Sequence, residues 1–182
     1  MPKTILIDMD DTIEFLTEAW CRWLDAKYNL NTKPEDIKSW DIAKYFHGLT
    51  KAQVFEPTLQ KEFWDTVRPR QDAMLYIKKL VDEGHHVCIC TASDYRTLVY
   101  KYEAIIEKYF PYLTWDNMII LKVKQMLKGD YLIDDGVHNL IGGEYKKILM
   151  SRPHNGNFDA EGNGMIRVNN WEEIYKIIEE DD

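Results

Sequence analysis

The sequence predicts an α/β protein: a parallel sheet covered by helices on both faces, with a small helical cap inserted after the first strand. Three observations carry this prediction. Short apolar runs alternate with segments of helical periodicity, most of those runs close on a polar residue, and one stretch of about 55 residues has helical patterning but no strand. A chain of 182 residues suits one buried core carrying an insertion better than two full-sized domains.

The first run, residues 4–8, passes through Ile5-Leu6-Ile7 into Asp8. From Ile13 to Arg70 the rhythm breaks into amphipathic helices separated by Asn29-Leu30-Asn31 and Pro57, crowded with Trp20, Trp23, Trp40, Phe46, Phe55, Phe63 and Trp64. The division expected is a core of residues 1–13 and 71–182 and a cap of 14–70. A cap leaving directly after the first strand would stand over the carboxyl ends of the sheet, where open α/β sheets bind ligands. Residues 72–83 form a connecting helix with apolar residues at Ala73, Leu75, Ile77 and Leu80 and a stop at Gly84. Strands follow at 86–91, ending in Thr91, at 118–122, ending in Lys122, and at 131–134, ending in Asp134-Asp135. A helix at 95–110 joins the first two. Strands at 147–150 and 166–168 flank a Gly- and Asn-rich loop, 153–164, and a helix at 171–180 closes the chain before an acidic tail.

Composition narrows the function. The protein is 45% hydrophobic, 30% charged and 13% aromatic, as a globular domain should be. A net charge of -8 opposes binding to nucleic acid polymers or anionic membranes but leaves room for a small anion held by local charges. Three cysteines, Cys21, Cys88 and Cys90, make no disulfide framework and suit a reducing compartment. With no leader or bilayer-length run apparent, a cytoplasmic location is expected. His85 and His86 need no metal, because a turn after Gly84 explains them. A homodimer is compatible with the sequence, which does not fix the oligomeric state.

Carboxylates, a hydroxyl and an ammonium at parallel strand ends lie along one edge, so they can converge although distant in sequence. Phosphoryl transfer needs such a set, because catalysis there consists largely of positioning and neutralising charge. Carboxylates alone would repel the substrate; a hard cation such as magnesium, which prefers oxygen ligands, resolves the conflict. Asp8, Asp134 and Asp135 are its natural ligands, and Asp8 is then the nucleophile. Asp10, two residues on, suits general acid and base work, and Thr12 could hydrogen-bond in the loop to orient it. A turn and helix cap is the competing reading of Asp10-Asp11-Thr12. For the ammonium, strand ends alone favour Lys122.

Asp8-Met9-Asp10-Asp11-Thr12 resembles the D-x-D-x-T signature of haloacid-dehalogenase-type phosphohydrolases, and Thr91, a lysine and Asp134-Asp135 follow in that superfamily's order. Within it, Leu132-Ile133-Asp134-Asp135, the Cys90-Thr91 strand end and the helical insertion are most similar to the 5'(3')-deoxyribonucleotidases. The resemblance implies a Rossmann-like core, a helical cap, magnesium, an Asp8 nucleophile, an Asp10 acid and base that also offers its backbone carbonyl to the metal, and a Thr91 phosphate clamp followed by Ala92. Its spacing places the lysine at Lys124 rather than Lys122, with Lys101 a further candidate. The implied substrate is a nucleoside 5'- or 3'-monophosphate, preferably deoxy. Phe15, Leu16, Trp40 and Trp64 are cap residues that could stack on its base, and Trp40 is taken into the site. Arg152 and His154 stand where they could reach its edge. Asp11, where related nucleotidases often have glycine, and Thr91-Ala92-Ser93, in place of a Thr-Ser-Pro type of motif, depart from the pattern.

Rival readings differ in testable ways. A phosphorelay receiver shares the chemistry, but its acidic pair should come early, and the insertion is too long for an ordinary connection. A binding module without catalysis would lack a reacting group, and none is missing. A phosphatase for a sugar phosphate or phosphoamino acid remains the enzymatic alternative, because substrate choice lies in the cap.

Overall fold

The computed structural model describes residues 1–181. Its centre is a six-stranded sheet of β1 (Thr4–Ile7), β2 (His86–Thr91), β3 (Met118–Ile120), β4 (Tyr131–Asp134), β5 (Lys146–Met150) and β6 (Met165–Val168). The order is β3-β2-β1-β4-β5-β6, and every neighbouring pair is parallel. The chain therefore winds outward from β1 in one direction through β2 and β3, then returns to its other side at β4. That reversal opens a crevice at the carboxyl ends of β1 and β4, the place where such sheets take ligands.

Both faces of the sheet are covered, which is why its strands read as continuous apolar runs rather than alternating ones. On one face Ile5, Ile7, Ile89, Ile133 and Ile148 join a cluster with Ala73, Ile77 and Leu80 of α4 (Gln71–Asp82) and Trp171, Ile174 and Ile178 of α7 (Trp171–Glu179). On the other, Leu6, Cys90, Leu132 and Leu149 pack with Leu140 of α6 (Val137–Leu140), Tyr145 and Met165. Each such buried Leu or Ile contributes roughly 1.5–3 kcal/mol. α4 ends where Gly84 adopts φ +88°, a conformation glycine takes without a Cβ clash.

Between β1 and α4 there is no strand. The segment carries α1 (Leu16–Tyr28), α2 (Lys51–Phe55) and α3 (Lys61–Trp64), joined by short 3₁₀ turns that include Pro34–Asp36, Ile42–Tyr45 and Glu56–Leu59. Asn29, at φ +54°, stops α1, and a reciprocal Thr50–Gln53 capping box starts α2. The segment leaves and returns side by side: Phe15 N donates to Arg68 O at 3.0 Å and Arg70 N to Ile13 O at 2.8 Å. Its aromatic rings meet edge to face, Trp20 on Phe55 at 5.1 Å and Trp23 on Phe63 at 5.8 Å. Trp20, Leu24, Val54 and Phe63 nonetheless belong to the same apolar cluster as the sheet face, so the packing is continuous across the two layers.

Three predicted elements differ by more than a residue at an end or in kind. β3 stops at Ile120, short of the predicted end at Lys122, and Lys122 lies exposed beyond it. The helix expected over 95–110 is α5 (Tyr95–Lys101), which widens into a π-helical turn at Tyr102–Glu107, a local form often found beside functional sites. The loop 153–164 contains two 3₁₀ turns, Pro153–Asn155 and Glu161–Asn163.

Candidate active site

The parallel register brings the acidic strand ends together. Asp8 extends the β1 ladder by one bond, its N–H donating to Ile133 O at 2.8 Å, which sets it beside Asp134. Lys124, buried in the 3₁₀ turn Lys124–Met126, donates to Asp8 Oδ1 and to Asp134 Oδ2, the latter at 2.6 Å. Burial disfavours this ammonium, yet Asp8 and Asp134 outweigh it and hold the charge above the usual lysine range. Lys122, the strand-end candidate, lies only at the cavity mouth. Lys124 and not Lys122 therefore meets the carboxylates, because β3 ends early and the chain turns back over the sheet edge before Lys124.

Asp134 also accepts from Gly136 N at 2.7 Å and Asn139 Nδ2 at 3.0 Å, both at the start of α6. Asp135 is 3.2 Å from His154 Nε2 through Oδ2, while its buried Oδ1 has no hydrogen-bond partner. Burial, chiefly, raises the Asp135 carboxyl to about 6, against the pull of His154. Burial likewise pushes Asp8 well above the carboxylate range; Lys124 opposes it, and Asp134, Asp135 and Asp10 add to it. Three carboxyls face one ammonium here. Asp8, Asp134 and Asp135 each offer one oxygen, all within 4.8 Å of one another. Oxygen donors at that spacing, an excess of negative charge and an orphaned buried oxygen suit a hard divalent cation.

A second set of contacts surrounds Asp10. Lys101, at the end of α5 and buried, donates to Asp10 Oδ2 at 2.7 Å, to Thr91 Oγ1 at 2.8 Å and to Ser93 Oγ at 2.9 Å. Lys124 and Lys101 thus occupy two different positions, one on the Asp8–Asp134 side and one on the Asp10–Thr91 side. Thr91 is buried at the end of β2, and Ala92 follows it exposed on the cavity wall. Thr12 does not orient Asp10: its hydroxyl is buried without a partner, and its backbone carbonyl accepts from Trp171 Nε1 at 3.0 Å. Glu14, which the sequence reading passed over, is fully buried. Burial first, then Asp10 and Asp11, push its carboxyl well above the ordinary value. A charged residue inside the apolar run Ile13-Glu14-Phe15-Leu16 was the available signal.

Over these groups lies a cavity of about 730 Å³, floored by Asp8, Asp10, Lys124 and Asp135 and walled by Leu16, Trp20, Ile37, Ile42 and Phe55. Trp40 lines it too, 57% exposed, with its ring edge-on to His138 at 4.5 Å and His154 at 5.3 Å. Two of the four expected stacking residues are turned elsewhere. Phe15 packs under the Arg70 guanidinium at 5.0 Å, and Trp64 is buried with the Lys101 ammonium 5.6 Å from its ring centroid. The loop after β5 does reach the site, through His154 on Asp135 and Arg152 on the Asp11 backbone. At the opposite end of the sheet Glu83, His85 and Glu179 also cluster. There His85 Nδ1 accepts from Lys3 N at 3.1 Å, which leaves the proton on Nε2 and no lone pair for a metal.

Comparison with known proteins gives one consistent picture. The family model for "5' nucleotidase, deoxy (Pyrimidine), cytosolic type C protein" matches residues 2–180. A 5'(3')-deoxyribonucleotidase of Bacillus subtilis is 34% identical over 175 residues, covering 96% of this chain and 97% of the relative. One from Clostridium acetobutylicum is 27% identical over 176 residues, covering 97% and 94%. Among solved structures, a HAD family hydrolase from Deinococcus radiodurans with bound phosphate and sodium superposes at TM-score 0.64 and 15% identity, over 98% of this chain and 96% of its own. A HAD-hydrolase from Bacillus subtilis bound to magnesium does so at 0.64 and 14%, over 98% and 99%.

Proposed function

Because the chain belongs to the family of the cytosolic type C 5'-nucleotidases acting on deoxynucleotides, and is thereby a phosphoric monoester hydrolase, we propose that it hydrolyses deoxyribonucleoside 5'- or 3'-monophosphates through an aspartyl-phosphate on Asp8. The observation that carries this reading is the convergence of Asp8, Asp134 and Asp135 on one another, the first two gripped by Lys124, beneath a cavity walled by apolar cap residues. A phosphate needs the first, and a nucleoside is served by the second.

In the mechanism, an Asp8 carboxylate oxygen attacks phosphorus and the ester P–O bond breaks. Asp10 gives a proton to the departing sugar oxygen, then takes one from the water that cleaves the acyl phosphate and frees Asp8. Lys101 holds Asp10 and Thr91 together, so the acid and the phosphate clamp keep a fixed separation. Lys124 neutralises Asp8 and Asp134 and offers its ammonium to the phosphoryl oxygens. Asp8, Asp134, Asp135 and the backbone carbonyl of Asp10 would hold magnesium, which would supply the positive charge that lets an anionic phosphate approach three carboxyls. Cap residues exclude water and grip the nucleoside; Trp40 and Leu16 stand on that side of the cavity.

The test is magnesium-dependent phosphate release over a panel of 5'- and 3'-nucleotides, deoxy and ribo, beside sugar phosphates and phosphoserine. A preference for deoxynucleotides is expected. Equal rates across the panel, or a preference for a sugar phosphate, would defeat the nucleotidase reading while leaving the phosphatase intact.

A further inference from the structure

Among the described residues only Asp11 and Asn29 have positive φ without being glycine, and Asp11 sits at +55° in the loop between β1 and the cap. Aspartate tolerates this conformation at some cost, whereas glycine takes it freely. The backbone alone thus gives no reason for aspartate here. Its contacts do. The Asp11 carbonyl accepts from Arg152 Nε at 2.6 Å and from Arg152 Nη2, on the loop after β5. Its carboxylate accepts from Thr17 N at 3.0 and 3.3 Å and from the Thr17 hydroxyl at 2.5 Å. Thr17 lies in the first turn of α1, whose preceding residue, Phe15, makes no side-chain cap. Asp11 therefore satisfies an orphan helix N–H from outside the helix, as an N-cap would, and its negative charge suits the α1 amino end.

The chain neighbour of Asp11 is Asp10, whose carboxylate is gripped by Lys101. Leu16, Thr17 and Trp20 of α1 line the cavity opposite. We infer that Asp11 is a positioning residue that fastens the first cap helix to the loop carrying Asp10, so that the cap wall and the acid-base carboxyl keep a fixed spacing. The inference rests on the phosphomonoesterase reading above and adds to it a residue that acts through α1 and Asp10.

Asp11→Gly accepts the same positive φ and removes the carboxylate tie; Asp11→Asn keeps an oxygen acceptor for Thr17 N and also tolerates positive φ. For Asp11→Gly, KM for a deoxynucleoside 5'-monophosphate should rise about tenfold while kcat changes less than about threefold. The loss should be at least about fivefold smaller on p-nitrophenyl phosphate, which lacks the sugar and base that the cap grips. Asp11→Asn should restore the nucleotide KM to within about twofold, and Thr17→Val, which loses the hydroxyl alone, should fall between. A parental KM in Asp11→Gly, equal losses on both substrates, or an Asn variant as impaired as the Gly variant would overturn the inference. If the Gly variant does not fold, Thr17→Val carries the contrast, and an unchanged nucleotide KM there overturns it. Hydrogen exchange at the Thr17 amide reads the tie without activity. It should quicken in Asp11→Gly, and unchanged exchange would sink the tie even if the parent proved inactive on every nucleotide, a result that would instead count against the functional reading.

Discussion

The sheet edge and the cap wall enclose one cavity and are built by opposite means. Asp8, Thr91 and Asp134 sit at strand ends, almost wholly buried, where the register of a parallel ladder fixes their backbones. Trp40 and Phe55 on the cap side are 57% and 36% exposed, the first in a bend between two 3₁₀ turns and the second at the end of the five-residue α2. A backbone pinned by its neighbours on both sides has little freedom to shift, whereas a side chain packed on one face does. The edge is thus suited to the exacting geometry of phosphoryl transfer, and the cap to a substrate whose shape can vary. Substitutions at the edge should act on turnover, and those on the cap on affinity.

The largest effect that would sharpen this division is at Asp8. Asp8→Asn should lower kcat by at least about ten-thousandfold, since an amide is a poor nucleophile. Its thermal midpoint should hold or rise, because the variant removes one of several carboxyls that burial and mutual repulsion disfavour. Stopped turnover with intact stability marks a residue placed for chemistry. A variant that turns over at the parental rate would break the comparison at its strongest point.

Next in size is Lys101→Met, which keeps the length and apolar stem of the side chain over Trp64 but strips Asp10 and Thr91 of their common donor. A fall in kcat of about a hundredfold is expected, measured under saturating nucleotide. An effect confined to KM would assign Lys101 to substrate binding instead.

The same two regions differ in how far they were legible. Ile5-Leu6-Ile7-Asp8 and Leu132-Ile133-Asp134-Asp135 announce themselves, because buried parallel strands read as apolar runs and a charge at their end has few structural explanations. Lys124 lies beyond a strand end, in a turn that reverses over the edge, so strand-end reasoning pointed to Lys122 and only the spacing of related sequences reached the buried residue. Lys101 was harder still, since one lysine on an amphipathic helix looks like any other until the fold aims it at Asp10. In the cap, Phe15, Leu16, Trp40 and Trp64 are equally apolar in sequence, yet Phe15 packs under Arg70 and Trp64 beneath Lys101 while the other two face the cavity. Phe15 and Trp40 lie outside any helix and Trp64 ends one of four residues, so helical periodicity has too little to act on there and packing partners decide which way each ring turns.

A smaller effect tests the charge balance at the edge. Asp135 titrates at about 6, above its ordinary 3.8, chiefly through burial. A carboxyl raised by folding favours the folded state fully below about 3.8 and loses that contribution as pH rises through about 6. In metal-free protein this contribution alone should lower stability by on the order of 1 kcal/mol between pH 5 and pH 7.5. Saturating magnesium, by favouring ionised ligands, should flatten the decline. Melts at the two pH values, with chelator and with magnesium, read the difference. Identical slopes in both conditions would mean that the edge does not depend on a cation for its balance.

The smallest effect falls on the cap. Trp40 makes edge-on contact with His138 and His154, so the core holds one side of the ring and leaves the other to the cavity. Trp40→Ala removes a stacking surface worth roughly 1 kcal/mol without touching a strand end. KM for a deoxynucleoside monophosphate should rise about three- to tenfold with kcat within about twofold, the reverse of the Asp8 pattern. The same variant assayed with p-nitrophenyl phosphate should lose less, because a single ring without sugar gives the cap little to hold. His154 also contacts Asp135, and that contact supplies the discriminating outcome. If Trp40→Ala lowers kcat as much as it raises KM, the tryptophan acts through His154 on the acidic edge, and the boundary between a chemical floor and a selective wall runs through the cap rather than beneath it.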